Sequence, residues 1–390
     1  MTGRLYYHDG YLLEFRARIV DVSPDRRSLY LDRTAFYPAS GGQPSDRGTL
    51  AGIPLADVAD KGGRIAHILA APAPEGLENG VVDCVVDGRR RADHREQHTG
   101  QHLLSAVFLE TLGAGTVGFH LGAETSTIEL ARAACTAEEI QRVEERANAI
   151  VRENRPVTIS FGEASDDLGL RKATERTGAI RVVAIANLDR SACGGTHVRQ
   201  TGEIGAILIR KLDKVRGNTR VEFVGGGRAV VLAHRDYDAL SSIARQFSAP
   251  LEEAPALAAA QRARLEDSEK ARKALAAELA AARGLRAYAE TAPGADGIRR
   301  LRIRMPSFTE DTRTEAMSFT GRPGAVFLGL AEKPPSVLFA ASEGCGVHAG
   351  DRLKLALAAL GGRGGGNARL AQGSLPDAAS LARAEELLGQ

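Results

Sequence analysis

The amino-acid sequence predicts an α+β protein in four parts: a β-barrel-like unit over 1–92, an α+β unit over 93–240, a helical arm over 250–290 and a small α/β unit over 296–390. Three observations carry this. Residues 1–92 hold short stretches rich in β-branched side chains, separated by Gly, Pro and Asp. Residues 93–240 alternate helical and strand-like periodicity, and 256–289 is a proline-free run of Ala, Arg, Glu, Lys and Leu. At 390 residues the chain is also too long for one ordinary core.

In the first unit, strands are predicted at 15–22, 28–31 and 80–86. A helix is then expected to begin near Asp93, a suitable N-cap, and to present Leu103, Leu104, Val107 and Phe108 on one face. The strand-like 125–130 follows. Next comes an amphipathic helix from about Thr136 to Asn154, which stops before Pro156 because a residue preceding proline is pushed out of the α region. Strands return at 180–185, 206–209 and 219–224, and Pro250 and Pro255 punctuate the chain. The arm reads as a long helix or helical hairpin broken at Gly284. Its Leu257, Leu265, Leu275 and Leu279 keep no strict heptad, so packing on a neighbour is expected rather than a regular coiled coil. The last unit predicts strands at 325–330 and 336–340, a helix at 351–360, the glycine-rich 361–373 and a terminal helix. No internal repeat is present.

Hydrophobic content of 43% and charged content of 26% are those of a soluble globular protein. No run of eighteen apolar residues appears and the start, MTGRLYYHDG, has no signal pattern, so a cytoplasmic location is expected. A net charge of +2 does not announce a nucleic-acid binder. Two local basic clusters stand out: Arg89, Arg90 and Arg91, then Arg210, Lys211, Lys214, Arg216 and Arg220. Taken alone, each is as readily a solvated face as a phosphate contact. The four cysteines are scattered without a CxxC pair, which argues against a disulfide framework. Cys84, Cys135 and Cys345 read as small apolar fillers.

Cys193 is different. The run His98-Thr99-Gly100-Gln101-His102 places two imidazoles one helical turn apart on one face. Far along the chain, Cys193-Gly194-Gly195-Thr196-His197 offers a thiolate and an imidazole across a glycine turn. Either half alone is weak evidence. Together, three histidines and one cysteine form a borderline-soft set that suits one Zn2+. His94 also lies on this helix, but about 12 Å of rise separates it from His102, so it is left out of the ligand set. HTGQH is not HExxH, and the metalloprotease base is missing. Four protein ligands would leave water to compete for a place. Whether the ion activates water, holds an amino group or organises the pocket is left open by these residues.

HTGQHLLSA followed by SACGGTHVRQTGEIG resembles the editing domain of alanyl-tRNA synthetases and of their free-standing relatives, the AlaX proteins. A broader similarity runs to the editing domain of threonyl-tRNA synthetase. The segment 34–43, TAFYPASGGQ, resembles the glycine-rich motif of the alanine branch, and KVRGNTRVEFVGG its conclusion of the editing domain. GGRGGGNARLAQG resembles the C-terminal domain of alanyl-tRNA synthetase, so the similarity covers nearly the whole chain.

The resemblance implies that His98, His102, Cys193 and His197 ligate one zinc ion. It implies that Thr34 and Gln43 face the editing pocket with catalytic roles beside His98 and His102. Gly41 and Gly42 would let backbone approach the terminal adenosine. Thr34 is the expected sensor of a seryl hydroxyl. Lys214, Arg216 and Arg220 are expected at acceptor phosphates, and His120 near the pocket. With no segment left for aminoacylation, the chain should act in trans, as a long AlaX form, on tRNA(Ala) charged with serine or glycine. A homodimer through the arm and the C-terminal unit is a further expectation. No Ser-His-Asp or Cys-His nucleophile arrangement stands in motif context. Two other readings remain: editing of serine on tRNA(Thr), and a non-catalytic zinc-containing tRNA-binding protein.

Overall fold

Alternation of apolar and polar side chains with a period of two builds the N-terminal part of the protein. In the strand Val81–Val86, for example, Val82, Cys84 and Val86 point inward while the residues between them face out. A computed structural model describes residues 1–164, 167–175 and 177–389. The chain divides into two units, Met1–Ser242 and Ile243–Gln390.

The first unit opens with β1 (Gly3–Arg4), β2 (Glu14–Val22), β3 (Ser28–Leu31), β4 (Arg33–Thr34), β5 (Gly48–Leu50), β6 (Ile53–Lys61), β7 (Arg64–Leu69) and β8 (Val81–Val86). Six of these form a closed barrel in the order β2-β3-β7-β6-β5-β8, and β1 pairs in parallel with β4. Ile19, Leu29, Leu31, Phe36, Leu50 and Val58 fill its interior. Cys84 is buried there as an apolar filler, its thiol pushed up to about 12 by desolvation.

α1 (Gly88–Leu112) leaves the barrel directly. Its N-cap is Asp87, which accepts from the Arg90 amide, and not Asp93. The early start is hidden from sequence because the first turns bury polar side chains, among them Arg91, His94, Arg95 and Gln97, instead of apolar ones. Arg91 is fully buried. Its guanidinium grips both oxygens of Asp46 and donates to the carbonyls of Gly10 (3.0 Å) and Ala35 (2.6 Å). Arg90 donates to the Ser45 carbonyl at 3.0 Å. The first basic cluster is therefore largely internal, and only Arg89 of the three is exposed.

Then follow β9 (Thr116–Leu121), β10 (Ser126–Leu130), α2 (Ala137–Arg152), β11 (Val157–Glu163), β12 (Ala179–Ile185), β13 (Asp189–Ala192), β14 (Ile207–Val215), β15 (Asn218–Gly225) and α3 (Gly226–Gln246). They make two sheets, β14-β15-β10-β9 and β11-β12-β13. Leu103, Leu104, Val107 and Phe108 of α1 join Ile128, Val143, Val183 and Phe223 in one core. Thr136 and Glu139 form a capping box at the start of α2. α3 carries exposed Val230, Val231 and Tyr237.

In the second unit, α4 (Ala254–Glu290) runs unbroken through Gly284. A Cβ at Gly284 would sit 2.3 Å from the carbonyl oxygen of Glu315, in α5 (Glu310–Thr320). The glycine thus permits close helix contact and marks no break. A sheet of β16 (Arg299–Met305), β17 (Ala325–Glu332), β18 (Pro335–Ala341), β19 (Arg363–Gly366) and β20 (Leu370–Ser374) has the order β16-β17-β18-β20-β19. α6 (Ala349–Leu360) and α7 (Ala379–Leu388) pack on it. The glycine-rich run supplies β19 and β20. Among the described residues, no helix is long and apolar enough to cross a membrane.

Removing Asp46 would leave the Arg91 charge buried without its counterion. Asp46→Ala is expected to lower stability by about 3–5 kcal/mol in urea denaturation followed by circular dichroism. A drop of less than about 1 kcal/mol would show that the pair does not tie the barrel to α1.

Candidate metal centre

His98 and His102 project from one face of α1, and Cys193 and His197 lie on the turn that follows β13. The structure brings all four together: one ligand atom from each lies within 4.8 Å of every other. Cys193 Sγ is 3.4 Å from His98 Nε2 and 3.3 Å from His197 Nε2. A tetrahedron with metal–sulfur and metal–nitrogen bonds of about 2.3 and 2.0 Å has an S···N edge of about 3.5 Å. The donor set therefore fits a tetrahedral metal ion.

The outward nitrogen of each imidazole is held. Gln43 Oε1 accepts from the Thr196 amide at 3.0 Å, so it can only accept from His98 Nδ1, at 2.8 Å. Gln43 Nε2 meanwhile donates to Thr196 Oγ1 at 3.0 Å. His102 Nδ1 donates to Asp189 at 3.0 Å. Thr99 Oγ1 gives its proton to the Arg95 carbonyl at 2.8 Å and so accepts from His197 Nδ1 at 3.2 Å. These partners anchor a proton on each Nδ1 and turn each Nε2 inward, where its lone pair is free to bind a metal ion whenever the imidazole is neutral.

The electrostatics of the metal-free cluster follow from this packing. Burial raises the Cys193 thiol, but the neighbouring imidazoles of His98 and His197 overcome it and hold the group well below its ordinary value. Burial pushes His197 down to about 3. It also opposes charge on His102, yet Asp189 and Cys193 hold that imidazole at about 9. Gly195 is obligatory here, because a Cβ would lie 2.2 Å from the His98 ring.

A cavity of about 460 Å³ opens beside the cluster, within the size range of small-molecule sites. His98, Gln101, His102 and Cys193 border it on one side, Gly41, Gly42 and Phe119 on another. Gly41 and Gly42 take positive φ values of 51° and 78°, and Gly42 packs against the Phe119 ring. Gln43 lies behind this loop, in contact with the ligands. Thr34 does not border the cavity. Its hydroxyl is buried in the barrel, 2.8 Å from His67 Nε2, and accepts from the Phe36 amide at 3.1 Å. His67 Nδ1 donates to the Leu29 carbonyl, so Thr34 is the donor to Nε2.

His94 is buried outside the ligand set. His120 is exposed on β9 and does not border the cavity. Lys214, Arg216 and Arg220 are exposed on the β14–β15 hairpin, also away from the cavity wall, while Arg210 pairs with Asp236 and Lys211 with Asp213. Sequence reasoning missed Asp189, Thr99, Thr196 and Arg171, which donates to Asp189 at 2.6 Å. It also missed Arg181, which holds the Cys193 carbonyl at 2.6 Å. Asp189, Arg171 and Arg181 belong to no spaced motif; Thr99 and Thr196 lie inside the two ligand motifs but carry no spacing signal of their own.

Residues 180–222 match the family described as the second additional domain of threonyl and alanyl tRNA synthetases. The chain is 32% identical to an alanyl-tRNA editing protein, AlaX-L, of Pyrococcus horikoshii, over 96% of this chain and 94% of that protein. It is 37% identical to the alanyl-tRNA editing protein AlaX-M of Methanosarcina acetivorans, over 57% of this chain and 98% of that one. An alanine–tRNA ligase of Halorubrum lacusprofundi is 32% identical over 97% of this chain, which spans only 42% of the ligase.

Asp189→Asn keeps the shape of the group behind His102 but removes its charge. Competition with a chromogenic chelator should find divalent-metal affinity lowered about 10–100-fold. Unchanged affinity would mean that Asp189 does not orient the donor.

Proposed function

The chain belongs to the alanyl-tRNA editing proteins, and on that premise we propose that it hydrolyses the ester joining serine or glycine to tRNA(Ala), on tRNA charged by another enzyme. The observation that carries the reading is the cavity of about 460 Å³ directly beside the four converging donors.

Water adds to the ester carbonyl, the bond to the terminal ribose oxygen breaks, and a proton passes to that oxygen. A zinc ion on His98, His102, Cys193 and His197 would supply concentrated positive charge next to the reacting ester. The chain's own groups do the rest. Gln43 fixes His98 and the Thr196 turn as a positioning residue, and Asp189 does the same for His102. Gly41 and Gly42 leave room for the terminal adenosine to approach the backbone. Thr34 is bonded to His67 inside the barrel. Lys214, Arg216 and Arg220 meet acceptor-stem phosphates. A second copy packs on exposed Leu265, Leu275 and Leu279 of α4; sedimentation as a monomer would remove that element.

Editing is chemically necessary because a synthetase pocket built for alanine excludes serine and glycine only weakly. The similarity to alanine-type proteins favours tRNA(Ala) over tRNA(Thr), and the complete donor set favours turnover over mere binding.

The deciding measurement is deacylation of seryl-, glycyl- and alanyl-tRNA(Ala) and of seryl-tRNA(Thr), with and without chelator. Hydrolysis of the seryl and glycyl esters of tRNA(Ala), abolished by chelator and restored by Zn2+, is expected. Cys193→Ala, which removes one of the four donors, should slow it by at least about a hundredfold. No hydrolysis of any ester would leave the binding-protein reading, and hydrolysis on tRNA(Thr) the other. Thr34→Val in the same assay assigns its hydroxyl to the barrel if selectivity for serine holds, and to the substrate if it erodes. Alanine at Lys214, Arg216 and Arg220 together should raise KM and leave kcat. The slope of log affinity against log salt should become shallower by about 0.7–0.9 for each phosphate no longer neutralised. An unaltered slope would take these residues off the RNA.

A further inference from the structure

On the cavity-facing side of α1, residues 98, 101 and 102 lie together, since positions three and four apart share a face. Two of them are donors to the metal cluster. The third, Gln101, borders the same cavity, is 3% exposed, and has an amide oxygen without a hydrogen-bond partner among the described residues. Its amide nitrogen donates to Ser105 Oγ at 2.8 Å, and Ser105 Oγ in turn accepts from Thr116 Oγ1 at 2.8 Å. The amide is therefore clamped at one end and open at the other.

An unpaired polar atom at this depth is costly unless a ligand pairs it. Several of the neighbouring polar groups are already engaged. Arg171 and Ser191 bond Asp189, Arg4 bonds Tyr7 and Asp60, and the Tyr37 hydroxyl donates to the Ser40 carbonyl. The Tyr6 hydroxyl, which also borders the cavity, has the Arg4 guanidinium beside it but no hydrogen-bond partner among the described residues. Thr34, the residue implied by resemblance, is bonded to His67.

We propose that Gln101 is a specificity-determining residue whose free amide end pairs with the side-chain hydroxyl of a seryl ester in the cavity. A hydroxyl pairs with either end of a carboxamide, so the assignment does not depend on which way the amide is turned. A methyl group leaves it unpaired, which penalises an alanyl group relative to a seryl one. The α-ammonium is common to both and would confer no preference. This inference rests on the editing reading.

The test uses the metal-loaded full chain and amides that cannot be deacylated as esters are: seryl, alanyl and glycyl derivatives of 3′-amino-3′-deoxyadenosine, titrated calorimetrically. The wild type should bind the seryl amide about tenfold to a hundredfold more tightly than the alanyl one. Gln101→Met, close in volume, should bring that ratio near one with the metal content intact. Gln101→Glu, which still accepts from a hydroxyl, should restore part of it. A seryl preference that survives Gln101→Met overturns the proposal, as does a wild type without preference. Since binding is read without turnover, a protein that hydrolyses no ester yet keeps a Gln101-dependent seryl preference sinks the hydrolytic part of the editing reading and leaves the seryl-binding role of Gln101 standing.

Discussion

Each neutral imidazole has one proton and one lone pair, and three of them converge on a point only when every proton is anchored outside. That constraint organises the first unit. The anchors are Gln43 from the loop after β4, Asp189 at the start of β13 and Thr99 on α1 itself. They come from the barrel, a sheet and the central helix, so all three must be assembled before the lone pairs meet. Gln43 binds most widely, holding a ligand on α1 and the turn between the other two ligands, 153 residues along the chain from itself. A buried charge pair, Arg91 with Asp46, fastens the helix to the barrel just ahead of the ligands. Such a pair contributes little net stability against an apolar replacement. It fixes instead where α1 leaves the barrel, and hence which of its faces meets Cys193.

Much of the site was legible because its donors sit in short contiguous runs. HTGQH and CGGTH each carry a spacing compatible with converging donors, and the second pair removes the ambiguity of the first. The anchors were not legible. Asp189 and Arg171 are isolated polar residues in sequence, and their roles arise from sheet pairing and loop placement. Thr34 shows the complementary difficulty. The motif that contains it is easily seen, but the direction of its side chain depends on barrel closure, which places it against His67.

The fold behaves in the same way. α2 announced itself through a capping box and a clear apolar stripe, and its observed ends fall close to those expected. α1 started earlier than its apolar face because its first turns face other polar groups, so periodicity had nothing to register. Gly284 was a false stop. In isolation a helical glycine costs about 1 kcal/mol relative to alanine, but here it lets α5 approach closer than any side chain allows. A glycine needed for contact and a glycine that ends a helix look alike until the partner is known.

On the proposed reading, selectivity and metal binding meet on one helix face. With ligands at 98 and 102, position 101 lies on the flank of the same helix face, and its side chain borders the cavity. On the proposed reading, a group there meets the aminoacyl part of the substrate. An apolar side chain at 101 would tolerate any small aminoacyl group equally, whereas a clamped amide makes the presence of a hydroxyl a matter of pairing or not pairing. Gly195 forces the same closeness from the other side, since nothing larger fits against His98. The site therefore has little slack between ion, ligand and substrate, and discrimination comes from which polar atoms are left unpaired when the cavity fills.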